Sequence, residues 1–143
     1  MMYYKLDPEV VGHIGPDTIM DTSTHPPILH ALHYEFDGWP EDDLITAHQC
    51  FMVTKNMQDL LESASASGCS FGHVKISTSE EFRELEELHL PRTLPQFSWL
   101  RITGIAQRDD FGTTSTGGSL IVSERVLQVM KRGRLDNCDI AAI

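Results

Sequence analysis

The chain has few cysteines, no long apolar run and little positive charge. Each shortage closes off a class of function. Its three cysteines are Cys50, Cys69 and Cys138. The number is odd and no CxxC spacing occurs, which argues against a disulfide framework and a structural zinc site and fits a reducing cytoplasm. No apolar run approaches the ~18 residues that would suggest a membrane span. The opening stretch MMYYKLDPEVVG lacks a basic region followed by an apolar one, so no signal peptide is expected. Eleven basic against 21 acidic residues give a formal charge of −10, a field that repels phosphate backbones and anionic lipid surfaces. It favours a basic protein partner, or solubility alone. Catalytic signatures are missing as well: the chain has no GxSxG, HExxH, Walker loop or GxGxxG. FGTTSTGGSL, 111–120, is rich in Gly, Ser and Thr, but it lacks the lysine and spacing of a phosphate-binding loop and reads as a hairpin or loop.

What is present describes an ordinary folded domain. With 143 residues, 41% of them hydrophobic, the chain is expected to be one domain, 1–143, with a core that needs no covalent staples. Four of the seven prolines, Pro8, Pro16, Pro26 and Pro27, fall near the start. There YYKLD reads as a short strand, and GHIGPDT and THPP read as turns. Tyr34 and Phe36 suit a pleated surface, so His33–Phe36 is expected to be a strand.

The middle of the chain reads more sharply. CFMVT, Cys50 to Thr54, is an apolar strand, and Thr54 stands where a helix N-cap should. Met57, Leu60, Leu61 and Ala64 follow at helical spacing, Gly68 is a left-handed stop, and Cys69 to Ile76 returns as a strand. The C-terminal part repeats the pattern. SLIVS ends in Ser123, Val126, Val129 and Met130 form a stripe, Asn137 stands at the stop, and CDIAAI closes as a strand. The segments 50–76 and 119–143 align without a gap at an offset of 69 residues, with Thr54 on Ser123 and Cys69 on Cys138. An aspartate pair precedes each: Asp42–Asp43 and Asp109–Asp110. A duplicated strand–helix–strand unit would leave two apolar faces to share one core, with Cys69 and Cys138 as equivalent buried residues.

Between these segments Thr78 and Glu81 can form a reciprocal cap on a short helix whose stripe is Phe82, Leu85 and Leu88. Phe97 to Ile105 reads as a central strand. The expected fold is α+β: a mixed or antiparallel sheet with about three helices.

The candidate sites are acidic or histidine-rich. FDGWPEDDL sets Trp39 among Asp37, Glu41, Asp42 and Asp43. An aromatic anchor with a charged rim has the composition of a protein interface, although the same tryptophan could equally pack inward while the acids face water. Together with Asp109 and Asp110, these residues form the expected partner-binding surface. The Glu80–Glu87 helix adds a third acidic cluster. His25, His30 and His33 lie close in sequence, but a strand would send His30 and His33 to opposite faces, so no metal and no cofactor is expected. No catalytic residue is assigned, and the chain is read as a binder and not an enzyme.

The string YEFDGW–EDDL … FMVT … LPQFSWLRITG … DDF … LIVSERVL, covering Tyr34 to the end, resembles small bacterial immunity proteins encoded beside polymorphic toxins. That resemblance implies a cytoplasmic antitoxin that neutralises one cognate effector, delivered by contact-dependent or type VI secretion, by stoichiometric binding. The effector is expected to be basic, with no nucleic-acid or membrane partner and the oligomeric state open. Two alternatives compete: a small metal-dependent hydrolase using His25, His30, His33 and the aspartate pairs, and a homo-oligomer pairing through an exposed sheet edge.

Overall fold

The apolar strand CFMVT becomes a helix at Thr54 because the next amides need an acceptor. In the computed structural model, which describes residues 2–24, 27–88, 93–115 and 117–143, the Thr54 hydroxyl accepts the Met57 N–H at 3.2 Å. Strand β6 (Cys50–Thr54) thus passes directly into helix α1 (Lys55–Ser63). The same event recurs at Ser123, whose hydroxyl accepts the Val126 N–H at 3.2 Å and joins strand β11 (Leu120–Ser123) to helix α3 (Glu124–Met130). A cap of this kind is worth ~1 kcal/mol.

Each strand–helix unit sits in its own four-stranded antiparallel sheet. One runs β5 (Leu44–Ala47), β6, β9 (Phe97–Ile102), β7 (Cys69–Gly72). The other runs β10 (Phe111–Thr113), β11, β1 (Tyr3–Asp7), β12 (Asp139–Ala142). The registers correspond residue by residue. Thr54 pairs with Phe97 as Ser123 pairs with Tyr3, and Phe71 pairs with Leu100 as Ile140 pairs with Leu6. Leu44 opposes Val53 as Phe111 opposes Val122. Leu6, Leu44, Phe51, Val53, Leu100, Leu120 and Val122 from the two sheets bury one core together with Met57, Leu61, Val126, Leu127 and Met130 of the helices.

A third sheet stacks on the outer face of the first. Its long strand β4 (Ile28–Phe36) pairs antiparallel with β2 (Gly12–Ile14) and β3 (Ile19–Asp21), and parallel with β8 (Val74–Thr78). Leu32, Tyr34, Phe36 and Val74 meet Ile45, Met52 and Trp99 in a second core, completed by Phe82 of helix α2 (Glu80–Leu88). Among the described residues the chain therefore forms twelve strands and three helices, an α+β domain with three sheets where one was expected.

Several local expectations are corrected. Cys69 to Ile76 is not one strand: it breaks at His73, and β7 and β8 join different sheets. Helix α2 is capped by Ser79, whose Oγ accepts the Phe82 N–H, because Thr78 is held in β8 opposite Phe36. Helix α1 ends at Ser63 and the chain turns left-handed at Ser65 (φ 52°), so Gly68 is not its stop. Gly68 (φ 81°) instead allows a close approach: a Cβ there would lie 2.5 Å from the Phe111 carbonyl oxygen. Asn137 is not left-handed; it binds Asp42. Cys69 opens β7 opposite Ile102, whereas Cys138 stands just before β12, and both are half-buried and not fully so. GHIGPDT, read as turns, supplies β2 and lies outside any strand only beyond Ile14.

Candidate functional site

The two aspartate pairs are built into the fold. Asp43 Oδ1 accepts the Thr54 hydroxyl at 2.8 Å and Oδ2 accepts the Arg134 N–H at 2.7 Å. Asp110 Oδ1 accepts the Ser123 hydroxyl at 2.7 Å, while Oδ2 accepts the Ser67 N–H at 2.9 Å and Arg125 Nη2 at 2.5 Å. Each aspartate thus holds the capping hydroxyl of its own unit and a backbone N–H from the other half of the chain. Burial pushes the Asp110 carboxyl up, but these donors outweigh it and hold the group below the usual carboxylate range. Asp42 is 3% exposed and accepts both the backbone N–H and the Nδ2 of Asn137, at 2.8 and 3.2 Å. Asp109 Oδ2 accepts the Ile105 N–H at 2.7 Å. Four of the expected partner-binding carboxylates are therefore engaged inside the molecule, and the two pairs share none of these donors.

The other expected residues, Asp37, Trp39 and Glu41, lie on the loop after β4. Trp39 is half-buried, with its ring 4.9 Å from that of Phe82, so the loop after β4 rests on helix α2. Glu41 is exposed. Asp37 follows Phe36, whose carbonyl accepts the N–H of Ser79, the residue that caps α2. On α2 the side chains of Glu80, Glu81, Glu84 and Glu86 are exposed around Phe82, the residue that anchors the helix. Loop and helix thus share one acidic surface.

Beside it, one face of the third sheet carries a polar network of which the sequence pointed only to His33, Glu35 and Asp37, and not to their being joined. His13 on β2 lies between two carboxylates, with Nδ1 2.8 Å from Asp37 Oδ2 and Nε2 3.1 Å from Glu35 Oε2. Glu35 Oε1 accepts the Ser77 hydroxyl at 3.0 Å, and Ser77 Oγ is 2.7 Å from His33 Nε2. The Asp17 N–H donates to His33 Nδ1 at 3.2 Å, and Asp17 also bonds Lys75, which holds its carboxyl below the usual range. The antiparallel β2–β4 register, which sets His13 opposite Glu35, could have been found by pairing GHI with YEF. The parallel β4–β8 pairing that brings Ser77 beside Glu35 has no local signal.

This network superficially joins a serine, a histidine and an aspartate, with Asp17 Oδ2 3.9 Å from His33 Nδ1. The proton directions do not suit nucleophilic catalysis. His33 Nδ1 accepts, so Nε2 carries the hydrogen and donates to Ser77, whose own proton goes to Glu35. A base must instead accept from the serine. His30 is exposed on β4, at the point where the register against β3 shifts, whereas His33 is buried; His25 lies outside the described residues. Among the described residues no group of three or more His, Cys, Asp or Glu is placed to hold a metal ion. Burial pushes the thiols of Cys50, Cys69 and Cys138 up to about 11, which leaves them protonated at neutral pH and poor nucleophiles. Among the described residues no helix is long and apolar enough to cross a membrane.

The fold and this surface define an α+β domain with an acidic, aromatic-backed face. Neither a protein-family model nor a curated protein matches the chain.

Proposed function

We propose that the chain is a cytoplasmic immunity protein that neutralises a cognate bacterial effector toxin by stoichiometric binding, without turnover. The observation that carries this reading is the joined acidic surface: exposed Glu80, Glu81, Glu84 and Glu86 on α2, with Glu41 on the loop that Trp39 lays against Phe82. In a chain of charge −10, such a surface speeds encounter with a basic partner and can occlude its active cleft. The partner class is a basic effector of the kind delivered by contact-dependent or type VI secretion. The surface differs from the one expected from sequence, since Asp42, Asp43, Asp109 and Asp110 spend their carboxylates inside the fold.

The test is capture of partners from the native organism on the tagged chain, at low and then moderate salt, with identification by mass spectrometry. A single basic effector that survives moderate salt supports the reading. Its loss from a chain carrying E80K, E84K and E41K places the contact on this surface. No partner at low salt overturns the proposal.

A further inference from the structure

His13 is held between two acids in a way that fixes its charge. A neutral imidazole has one N–H, and the nitrogen without it presents a lone pair. Here both nitrogens face carboxylate oxygens, at 2.8 Å and 3.1 Å. Only the imidazolium can donate to both; loss of its proton would set a lone pair against a carboxylate and leave Glu35 and Asp37 without their shared cation.

These contacts lead straight to helix α2. The Asp37 and Gly38 N–H groups both donate to the Val11 carbonyl, two residues before His13, at 2.8 and 3.1 Å. The Ser79 N–H donates to the carbonyl of Phe36, the neighbour of Asp37, at 2.9 Å, and Ser79 Oγ caps the helix at Phe82. The start of α2 and the Trp39 loop therefore hang on the residues that His13 clamps.

We infer that His13 is a proton-operated latch: in its charged form it fastens the start of α2 and the Trp39 loop to β2 and β4, and on losing its proton it releases them. The inference concerns the chain alone and stands whether or not the acidic surface takes a partner.

The groups facing the latch set its direction. Glu35 comes from β4 and Asp37 from the turn that follows it; both favour the charged ring and raise its pKa above 6.5, with the Asp37 hydrogen bond the largest cause and partial burial opposing it. From β8, Ser77 binds the other oxygen of Glu35 and passes the contact to His33. Lys75, also on β8, is taken by Asp17 from the turn after β2, so it does not replace the cation. The first turn of α2 brings Glu80 and Glu81, two more negative charges. Because the folded pKa is raised, the stabilisation is complete below pH 6.5 and is lost as pH climbs through the folded value.

The experiment is an NMR titration of the His13 ring in the intact chain, with amide hydrogen exchange across α2 from pH 5.5 to 8.5, corrected for intrinsic rates. The expected result is a His13 pKa above 6.5 and a fall of at least threefold in protection at Phe82–Glu86 through that same pKa. H13Q should show the wild-type high-pH level of protection at every pH, and D37N should lower the His13 pKa. A His13 that titrates at or below 6.5, or protection that does not change through its titration, overturns the latch. So does a pH dependence that survives in H13Q. If H13Q fails to fold, the wild-type titration and D37N still decide.

Discussion

The two four-stranded sheets share strand order, register and helix cap, yet they differ on their outer faces. On β9 of the first, Trp99 is 8% exposed, in one cross-strand row with Met52 and then Ile45, and the third sheet covers all three. At the matching positions of the second stand Lys5, Ile121 and Gly112. Lys5 is exposed, and a loop closes over Gly112, where a Cβ would meet the Ala106 backbone at 2.2 Å. The inner faces must be apolar in both halves, because there the sheets and their helices bury a common core. The outer face is free to differ, and that freedom decides where a further layer can stack. The acidic surface and the histidine network both belong to the layer that only the first half carries.

The sharpest way to break this comparison is to exchange the outer residues. Trp99→Lys copies the second half into the first and buries a charge where a ring sat; the expected loss is about 3–5 kcal/mol or more, read by urea unfolding. Lys5→Ala, at the matching exposed position, should stay within about 0.5 kcal/mol. Equal losses at the two positions would mean that the third sheet is not stacked on Trp99.

Next in size are the aspartate pins, where the halves should agree. Asp43→Ala and Asp110→Ala each orphan a capping hydroxyl and a backbone N–H, at an expected cost of about 2–3 kcal/mol. In double-mutant cycles, Asp43 with Thr54 and Asp110 with Ser123 should show coupling of about 0.5–3 kcal/mol. The depressed Asp110 pKa adds a sign. Its contribution is present above the ordinary carboxylate range and disappears as pH falls through its lowered value, so Asp110→Asn should flatten the acid limb of the stability curve. An unchanged acid limb would remove Asp110 from that role.

How much of this could be read from sequence follows the range of the interaction. Thr54 and Ser123 were legible as caps because the bond reaches three residues along the chain. Strands β6 and β11 were legible from their apolar runs, β9 from its partial alternation, although it ends at Ile102 and not Ile105, and Phe82 from its stripe. Asp42 and Asp43 were visible as a cluster, but their use was not: their donors, Asn137 and Arg134, lie more than 90 residues away. Strands β2, β3, β5 and β10 are three or four residues long, too short to carry a period. Strands β5, β6 and β7 and helix α1 lie between β4 and β8 in sequence, so the clustering of His33, Glu35 and Ser77 could not be foreseen.

The smallest expected effect on stability falls on the residues proposed to matter most for binding. Glu80, Glu84 and Glu41 are exposed, and solvent screens their charges. Reversing any one of them should move unfolding by no more than about 0.5 kcal/mol. The same reversals should weaken association with a basic partner chiefly through a slower, less salt-sensitive on-rate, because long-range attraction acts before contact. Reversing Asp43 would give the opposite pattern, a large loss of stability that carries any loss of binding with it. Measuring unfolding and association on the same variants therefore separates carboxylates that hold the fold from those that would meet a partner. If the α2 reversals changed neither quantity, that surface would be no more than a solvated helix.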